Sequence, residues 1–405
     1  MPWKGVTVKE QRENFIRDYR LGYYPVSELA RRFGVSRKTC YKWISRWEQQ
    51  GAEGLEEQSR RPAGCPWKTA EKVSEELLRL KKDKPNRGPR KLLVMIGRKH
   101  PKWQLPSVST AARILSHAGL VNSKGRGRRA HPGCPKHQAG CPNDIWAADY
   151  KGQFLLKNGS YCYPLTVSDL YSRYLLGCQA HEAISLEKTR EYFQWLFSEY
   201  GLPARIRTDN GVPFAAQGLA RLSRLSVWFI RLGIYPELIE PGHPEQNGIH
   251  ERMHRTLKAE ATIPPASSIR GQQRKFDGFR KEFNDERPHE ALGMKCPAEV
   301  YRSSLRKMPQ RIKAYEYPGH YLVRRVSRAG TVRMHNRQFF LSSTLMEDYV
   351  GLEEIDEGIY DVFFRFYQIA RYDLRRNKVK DILKKVPLSL PKKLEAPRVL
   401  PMSRE

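Results

Sequence analysis

No stretch of the 405 residues approaches the roughly 20 consecutive apolar side chains that cross a bilayer, so a membrane-spanning helix is not expected. The first residues, Met1 to Phe15, are polar and mixed in charge, unlike the apolar centre of a secretory leader. Cysteine is sparse. Seven in 405 residues, an odd number, make no disulfide scaffold, and reduced thiols in a cytoplasm are the expectation. Acidic residues are scarce beside basic ones: 43 Asp and Glu against 73 Lys and Arg, a formal net charge of +30. Apolar residues are not scarce. They make up 40% of the chain against 29% charged, which excludes global disorder and allows two to four domains.

So large a cationic excess calls for a polyanionic partner. Nucleic acid is the first expectation and an anionic membrane surface the second. The charge is concentrated at one end. Residues 1–142 carry 31 basic and 12 acidic side chains, and the remaining 263 carry 42 and 31. The first third is therefore the expected gripping part.

Residues 8–50 read as three short helices. The middle one spans about 26–33 and is followed by Gly34, suited to a left-handed helix end. Ser36 is a good N-cap for a helix reaching about Gln50. Along that helix Cys40, Trp43, Ile44 and Trp47 form one apolar stripe, with Arg37, Lys38, Lys42 and Ser45 mainly off it. One face can pack while the other reaches phosphates and base edges. The run Leu29-Ala30-Arg31-Arg32-Phe33-Gly34-Val35-Ser36 resembles helix-turn-helix proteins, so residues 1–60 are expected to bind DNA.

Residues 67–121 read as a second helix-turn-helix-like unit, with Ser107 capping its last helix. A basic linker at 122–142 places Arg126, Arg128 and Arg129 among glycines, a flexible arm for a phosphate backbone. His131, Cys134, His137 and Cys141 are zinc-type ligands. Their short, proline-containing stretch reads rather as an irregular linker without metal.

From Asp144 three strands follow in succession, at about 145–154, 161–168 and 174–180. A helix at 186–200, a strand at 204–208, a helix at 218–232, a strand at 235–239 and a helix at 247–261 complete a mixed α/β order. Three blocks then stand out: Trp146-x2-Asp149-Tyr150-Lys151-Gly152, Arg207-Thr208-Asp209-Asn210-Gly211, and Gly242-His243-Pro244-Glu245-Gln246-Asn247-Gly248-x2-Glu251-Arg252. They resemble the three acidic motifs of the retroviral-integrase-type (DDE) catalytic core. The continuation Met253-His254-Arg255-Thr256-Leu257-Lys258 and the later Asn284-x2-Arg287-Pro288-His289-x2-Leu292 resemble bacterial insertion-sequence transposases of that superfamily.

The resemblance implies a ribonuclease H-like core at 143–300 and a polynucleotidyl transferase. Asp149, Asp209 and Glu251 are its implied catalytic residues and metal ligands. Two Mg²⁺ ions, or Mn²⁺, about 4 Å apart would be held by carboxylate oxygens, as hard cations require. Asp149 would be shared, Asp209 would hold one ion and Glu251 the other. Among rival carboxylates, Asp144 better suits a cap and Asp169 a hairpin support, while Glu245 lies in a loop and Glu260 too far along its helix. Glu251 follows Asp209 by 42 positions, longer than the mid-thirties spacing the resemblance leads one to expect, and the excess reads as a lengthened helix at 218–231. Arg255 and Lys258 share a helix face with Glu251 and are expected to hold a DNA end, salt bridges to Glu251 being the alternative.

Beyond the core, Phe276, Phe279 and Phe283 recur at helical spacing and suit packing. Six short strands between about 321 and 372 predict a small all-β SH3-like barrel within 315–375, and residues 376–405 a disordered tail. The resemblance then implies a DNA transposase that binds the terminal inverted repeats of an insertion sequence, cleaves the 3′ ends and joins them to target DNA. Double-stranded DNA is the partner, with at least two copies of the chain holding two ends. No membrane partner is expected, and the expected location is cytoplasmic, at the nucleoid when DNA is bound. A non-catalytic regulator and a ribonuclease of the same fold are the rival readings.

Overall fold

A computed structural model describes residues 7–57, 68–121, 137–240 and 242–383. Arg126, Arg128, Arg129, His131 and Cys134 lie outside the described residues, as do 384–405. The chain divides into two compact units, Met1–Lys68 and Thr69–Glu405. No helix of the described residues is long and apolar enough to cross a membrane.

The first unit contains α1 (Val8–Leu21), α2 (Val26–Arg32) and α3 (Arg37–Gln50). Thr7 and Glu10 form a reciprocal capping box that starts α1. Gly34 takes the left-handed turn at φ 64°, and Ser36 Oγ accepts from the Thr39 N–H to start α3. Phe15, Ile16, Leu29, Ala30, Cys40, Trp43 and Ile44 form the core, so the apolar stripe read from spacing faces inward. A 3₁₀ turn, Gly51–Leu55, folds back on α3. A Cβ on Gly54 would stand 2.3 Å from the Arg46 carbonyl oxygen, so this close approach requires glycine.

The second unit begins with α4 (Glu71–Asp83), α5 (Pro89–Lys99) and α6 (Val108–His117), packed through Leu77, Leu92, Ile96, Ala111 and Leu115. Its mixed sheet comprises β1 (Ile145–Tyr150), β2 (Phe154–Leu155), β3 (Tyr161–Asp169), β4 (Leu175–His181), β5 (Arg205–Thr208) and β6 (Tyr235–Leu238). β3 runs antiparallel to β1, β2 and β4, and β1, β5 and β6 are parallel. The helices are α7 (Leu186–Tyr200), α8 (Arg224–Arg231), α9 (Gly248–Ala261), α10 (Ile269–Asp285) and the short α11 (Pro297–Val300). Phe276, Phe279 and Phe283 of α10 are core residues, as their spacing predicts.

In the mixed sheet and its helices the structure departs from two expectations. The strand at 145–154 breaks into β1 and β2, because Pro164, opposite Lys151, has no N–H with which to continue the ladder. The helix at 218–232 is not lengthened. Gly218 at φ 137° and Ala220 and Arg221 at φ 51° prevent helix there, and the Ser223–Ser226 capping box delays α8 until Arg224. The extra residues before Glu251 form an irregular loop with a bridge between Ala215 and Leu222.

α10 closes the outer edge of β4 with side chains. Gln273 bonds the Ala180 N–H and the Cys178 carbonyl, Arg280 the Leu176 carbonyl, and Asn284 both backbone groups of Leu175. Such an edge, left open, would pair with other chains.

The carboxy-terminal part holds β7 (Leu322–Arg325), β8 (Thr331–Met334), β9 (Arg337–Phe340), β10 (Tyr349–Asp356), β11 (Ile359–Phe364), β12 (Tyr367–Asp373) and β13 (Lys378–Asp381). A five-stranded antiparallel sheet, β13-β12-β11-β10-β7, and a β8–β9 hairpin share one core. β13 corrects the expectation of disorder from residue 376: Val379 pairs with Tyr372 and packs on that core. Ala220, Leu222, Val227 and Ile230 join the same core, so the loop before α8 is the seat of this sheet.

Candidate active site

β1 pairs with β5 so that Ala148 stands opposite Thr208. The residue after each is an aspartate, Asp149 within β1 and Asp209 just past the end of β5, and the two are thereby set abreast. Asp209 Oδ1 accepts from the Gly211 N–H at 3.1 Å. A Cβ on Gly211 would lie 2.9 Å from Asp209 Oδ2, so the glycine leaves room for the carboxylate to turn inward. Asn210 anchors the turn, donating to the Ile239 carbonyl and accepting from Arg221.

Glu251 lies in the first turn of α9 and is exposed. Its charge reaches Asp149. Burial, then the neighbouring Asp209 and, more weakly, Glu251, push the Asp149 carboxyl up to about 8, with Lys151 opposing. Burial also raises Asp209. Among the described residues no three His, Cys, Asp or Glu side chains already enclose a metal position. The two aspartates are the close pair, and Glu251 is the outlying member.

Beneath Asp149 is a buried network that sequence reading missed. Thr166, paired with Asp149 across β1 and β3, donates its hydroxyl to the Asp149 carbonyl at 3.1 Å. The same oxygen meets His250 Nε2 at 2.8 Å and His254 Nε2 at 2.6 Å. His250 Nδ1 meets Ser168 Oγ at 2.7 Å. With the hydroxyl proton spent on the carbonyl, both Nε2 atoms must donate, which assigns the tautomers. Burial lowers His250 to about 3, and burial with His250 and Lys151 lowers His254 to about 2, so both rings are neutral. His254 Nδ1 therefore turns a lone pair toward Asp149 Oδ2, 3.7 Å away. This network sets α9 against β1 and β3. The available signal was a histidine pair at i and i+4, flanking Glu251 at a different helical angle.

Other carboxylates are engaged elsewhere. Asp144 accepts from the Gly140 N–H, and Asp169 accepts from Asn143 and Ser172 across the hairpin. Glu245 meets His243, and Glu260 holds Arg287. Buried Arg207 ties β5 to Glu237 and to the Gln246 carbonyl at the entrance of α9.

Arg255 and Lys258 are exposed on α9, and neither forms an ion pair among the described residues. Arg37, Lys38, Lys42 and Ser45 are exposed on α3, in the other unit, with the Lys42 ammonium 4.9 Å from the Trp43 ring centre. Of the zinc-type residues, His137 contacts Glu237 at 3.1 Å and Cys141 is an exposed free thiol.

Comparison with known families matches residues 139–244 and 232–297 to integrase core domains, 11–63 to a helix-turn-helix domain and 39–115 to a homeodomain-like domain. A 31.7 kDa protein of insertion element IS407 from Burkholderia multivorans is 26% identical over 167 residues, 40% of this chain and 56% of that protein. A 39.2 kDa protein of insertion element IS476 from Xanthomonas euvesicatoria is 25% identical over 249 residues, 61% of this chain and 69% of that one. The putative transposase InsD of insertion element IS2E from Escherichia coli is 28% identical over 102 residues, 25% of this chain and 44% of that one. The match to the IS407 protein thus spans little more than half its length. With an integrase core domain behind helix-turn-helix domains, the chain is similar to insertion-element transposases that have an integrase-type core.

Proposed function

We propose that the chain is a DNA transposase that binds the terminal inverted repeats of an insertion sequence, cleaves their 3′ ends and joins them to target DNA. The observation that carries this is the pair Asp149 and Asp209, abreast at the ends of β1 and β5 with Glu251 on α9 adding its charge.

The donor set fits magnesium or manganese, because carboxylate oxygens suit hard divalent cations. Carboxylates whose mutual repulsion raises Asp149 are also what a cation would relieve. Asp149 would serve two ions, Asp209 one and Glu251 the other. The bound ions would neutralise charge at the attacking and leaving oxygens of a phosphodiester. The chain's own part is to hold those carboxylates. Gly211 leaves space for Asp209, and the Thr166–His250–His254 network fixes α9 and so Glu251.

Water attacks first and releases the element's 3′-hydroxyl. That hydroxyl then attacks a target phosphodiester, so each step breaks one P–O bond as it forms another. Arg255 and Lys258 hold the DNA end. Arg37, Lys38, Lys42 and Ser45 read the repeat, and Arg126, Arg128 and Arg129 follow the backbone. The domains in this reading are 1–60, 67–121, 143–300 and 315–375, the last a small SH3-like barrel. One chain has one acidic trio and an element has two ends, so at least two copies act together.

The test is selection of bound duplexes from a random pool by the purified chain, followed by Mg²⁺ addition and strand mapping. The proposal expects one selected sequence, cut on one strand at a fixed position. Unselective binding, or a selected sequence left uncut, would refute it.

A further inference from the structure

The segment Asn284-x2-Arg287-Pro288-His289 takes no part in the carboxylate site. Asn284 is accounted for by the edge of β4, and buried Arg287 by Glu260 at 2.8 Å. His289 is not accounted for. Its ring lies edge-on to Phe283, and its Nε2 is buried without a hydrogen-bond partner. Nη1 of Arg173, in the turn from β3 to β4, is equally buried and unpartnered.

These two donors lie in a cluster of like charges from four separated segments. Burial, opposed by Asp169, lowers Arg173, and Arg252 on α9 lowers it further. Burial lowers Lys91 on α5, as do Arg287, Arg87 and Arg252, with Glu290 opposing. Burial, then Lys91, Arg287 and Arg173, lowers His289 to about 3, so its ring is neutral and can donate from Nε2.

The nearby carboxylates offset this cluster only in part, Asp169 acting on Arg173 and Glu290 on Lys91. Asp169 is bonded to Asn143 and Ser172, Glu260 to Arg287, and Glu282 to Lys84 and Arg87. Glu290 is exposed. Packed cations without a matching anion oppose folding, and such arrangements persist where a ligand supplies the charge. Guanidinium groups and a ring N–H match the tetrahedral acceptors of a phosphate.

We propose that Lys91, Arg173, Arg252 and His289 form a seat for one backbone phosphate of the DNA, one residue along α9 from Glu251. The inference rests on the function proposed above and adds a fixed register to it. Arg87 and Lys84 hold Glu282, and Arg98 holds Glu299 and the Met294 carbonyl, so Lys91 is fixed relative to α10 and α11. A phosphate seated there fixes how far the duplex advances toward the carboxylates.

The test uses the full chain and its selected duplex. Single phosphates around the cut are replaced by uncharged methylphosphonates, and the variants are Arg252→Gln, Lys91→Gln and Arg173→Gln. Arg252 is exposed, so its variant folds. The wild type should lose affinity at one particular neutralised phosphate, and each variant should lose nothing further there. Because one phosphate is seated, each should flatten the log–log salt slope by up to about 0.9, at most about a threefold smaller loss of affinity between 50 and 200 mM salt. Without DNA, Lys91→Gln should melt no lower than the wild type, because it removes repulsion.

Variants that keep both the wild-type slope and the wild-type phosphate profile would overturn the seat. So would protection of the wild type, but not the variants, by inorganic phosphate with the DNA profile unchanged, which would mark a free-anion site. A lower melting temperature in Lys91→Gln with unchanged DNA contact would mark a structural ion network. A wild type that selects no duplex fails the proposed function itself and is read before any variant.

Discussion

Asp149→Asn should stabilise the metal-free protein, and by an amount that grows with pH. In the folded chain Asp149 is pushed up to about 8 from an ordinary 3.8, chiefly by burial and by Asp209. The sign follows from linkage. The folded state holds its proton more tightly than the unfolded state, so stability from this group is full below 3.8 and is lost as pH rises to about 8. At 1.36 kcal/mol per unit, the loss is about 1.7 kcal/mol at pH 5 and about 4 kcal/mol at pH 7. The Asp149 side chain is 23% exposed, so these are upper bounds. Asparagine has nearly the same shape and does not titrate. Its advantage should widen by about 2–3 kcal/mol between pH 5 and 7 and level off above 8. The assay is urea unfolding of both proteins in chelator at each pH. Adding Mg²⁺ at pH 7 should then stabilise the wild type and not the variant. A gap that stays constant with pH would refute the reasoning, because Asp149 would then not be the group bearing the repulsion.

Other outcomes follow from the same geometry. Gly211→Ala places a Cβ 2.9 Å from Asp209 Oδ2 and should reduce Mg²⁺-dependent nicking while end binding, measured by gel shift, is unchanged. Thr166→Val removes the oxygen shared by His250 and His254. It should cost about 1–3 kcal/mol in urea unfolding and lower cleavage with it. Replacing Arg37, Lys38 and Lys42 together with Ala should weaken repeat binding and flatten the salt slope by up to about 2.7, the sum of three phosphate contacts. An unchanged slope would show that α3 faces away from DNA.

The helix-turn-helix and the αβ order were legible because they rest on local chemistry. Ser36 and Gly34 mark a turn wherever they stand, and Cys40, Trp43 and Ile44 repeat at the period of a helix. Asp149 and Asp209 were singled out by their motifs' resemblance to the integrase-type core; the strand read at 145–154 put Asp149 mid-strand, and only the pairing of β1 with β5 sets the two abreast. What was not legible depends on partners distant in sequence. Pro164 ends β1 from another strand. Val379 is half-buried against Tyr372 and its neighbours, although its own segment is polar. Residues 218–223 have a helical composition, yet their backbone follows the carboxy-terminal sheet, with the Ala220 N–H bonded to Asp381. His250 and His254 look like surface residues of a basic helix until Thr166 and Ser168 are set beneath them.

The most direct measurement separates binding from chemistry at the three carboxylates. Asp149→Asn, Asp209→Asn and Glu251→Gln are each mixed with the selected duplex, first in chelator and then in Mg²⁺, with bound and cut DNA read from the same samples. The account predicts wild-type binding by all three and cleavage by none, because each change removes a charge that organises the ions and no DNA contact. Ordinary cleavage by any one of the three would contradict it.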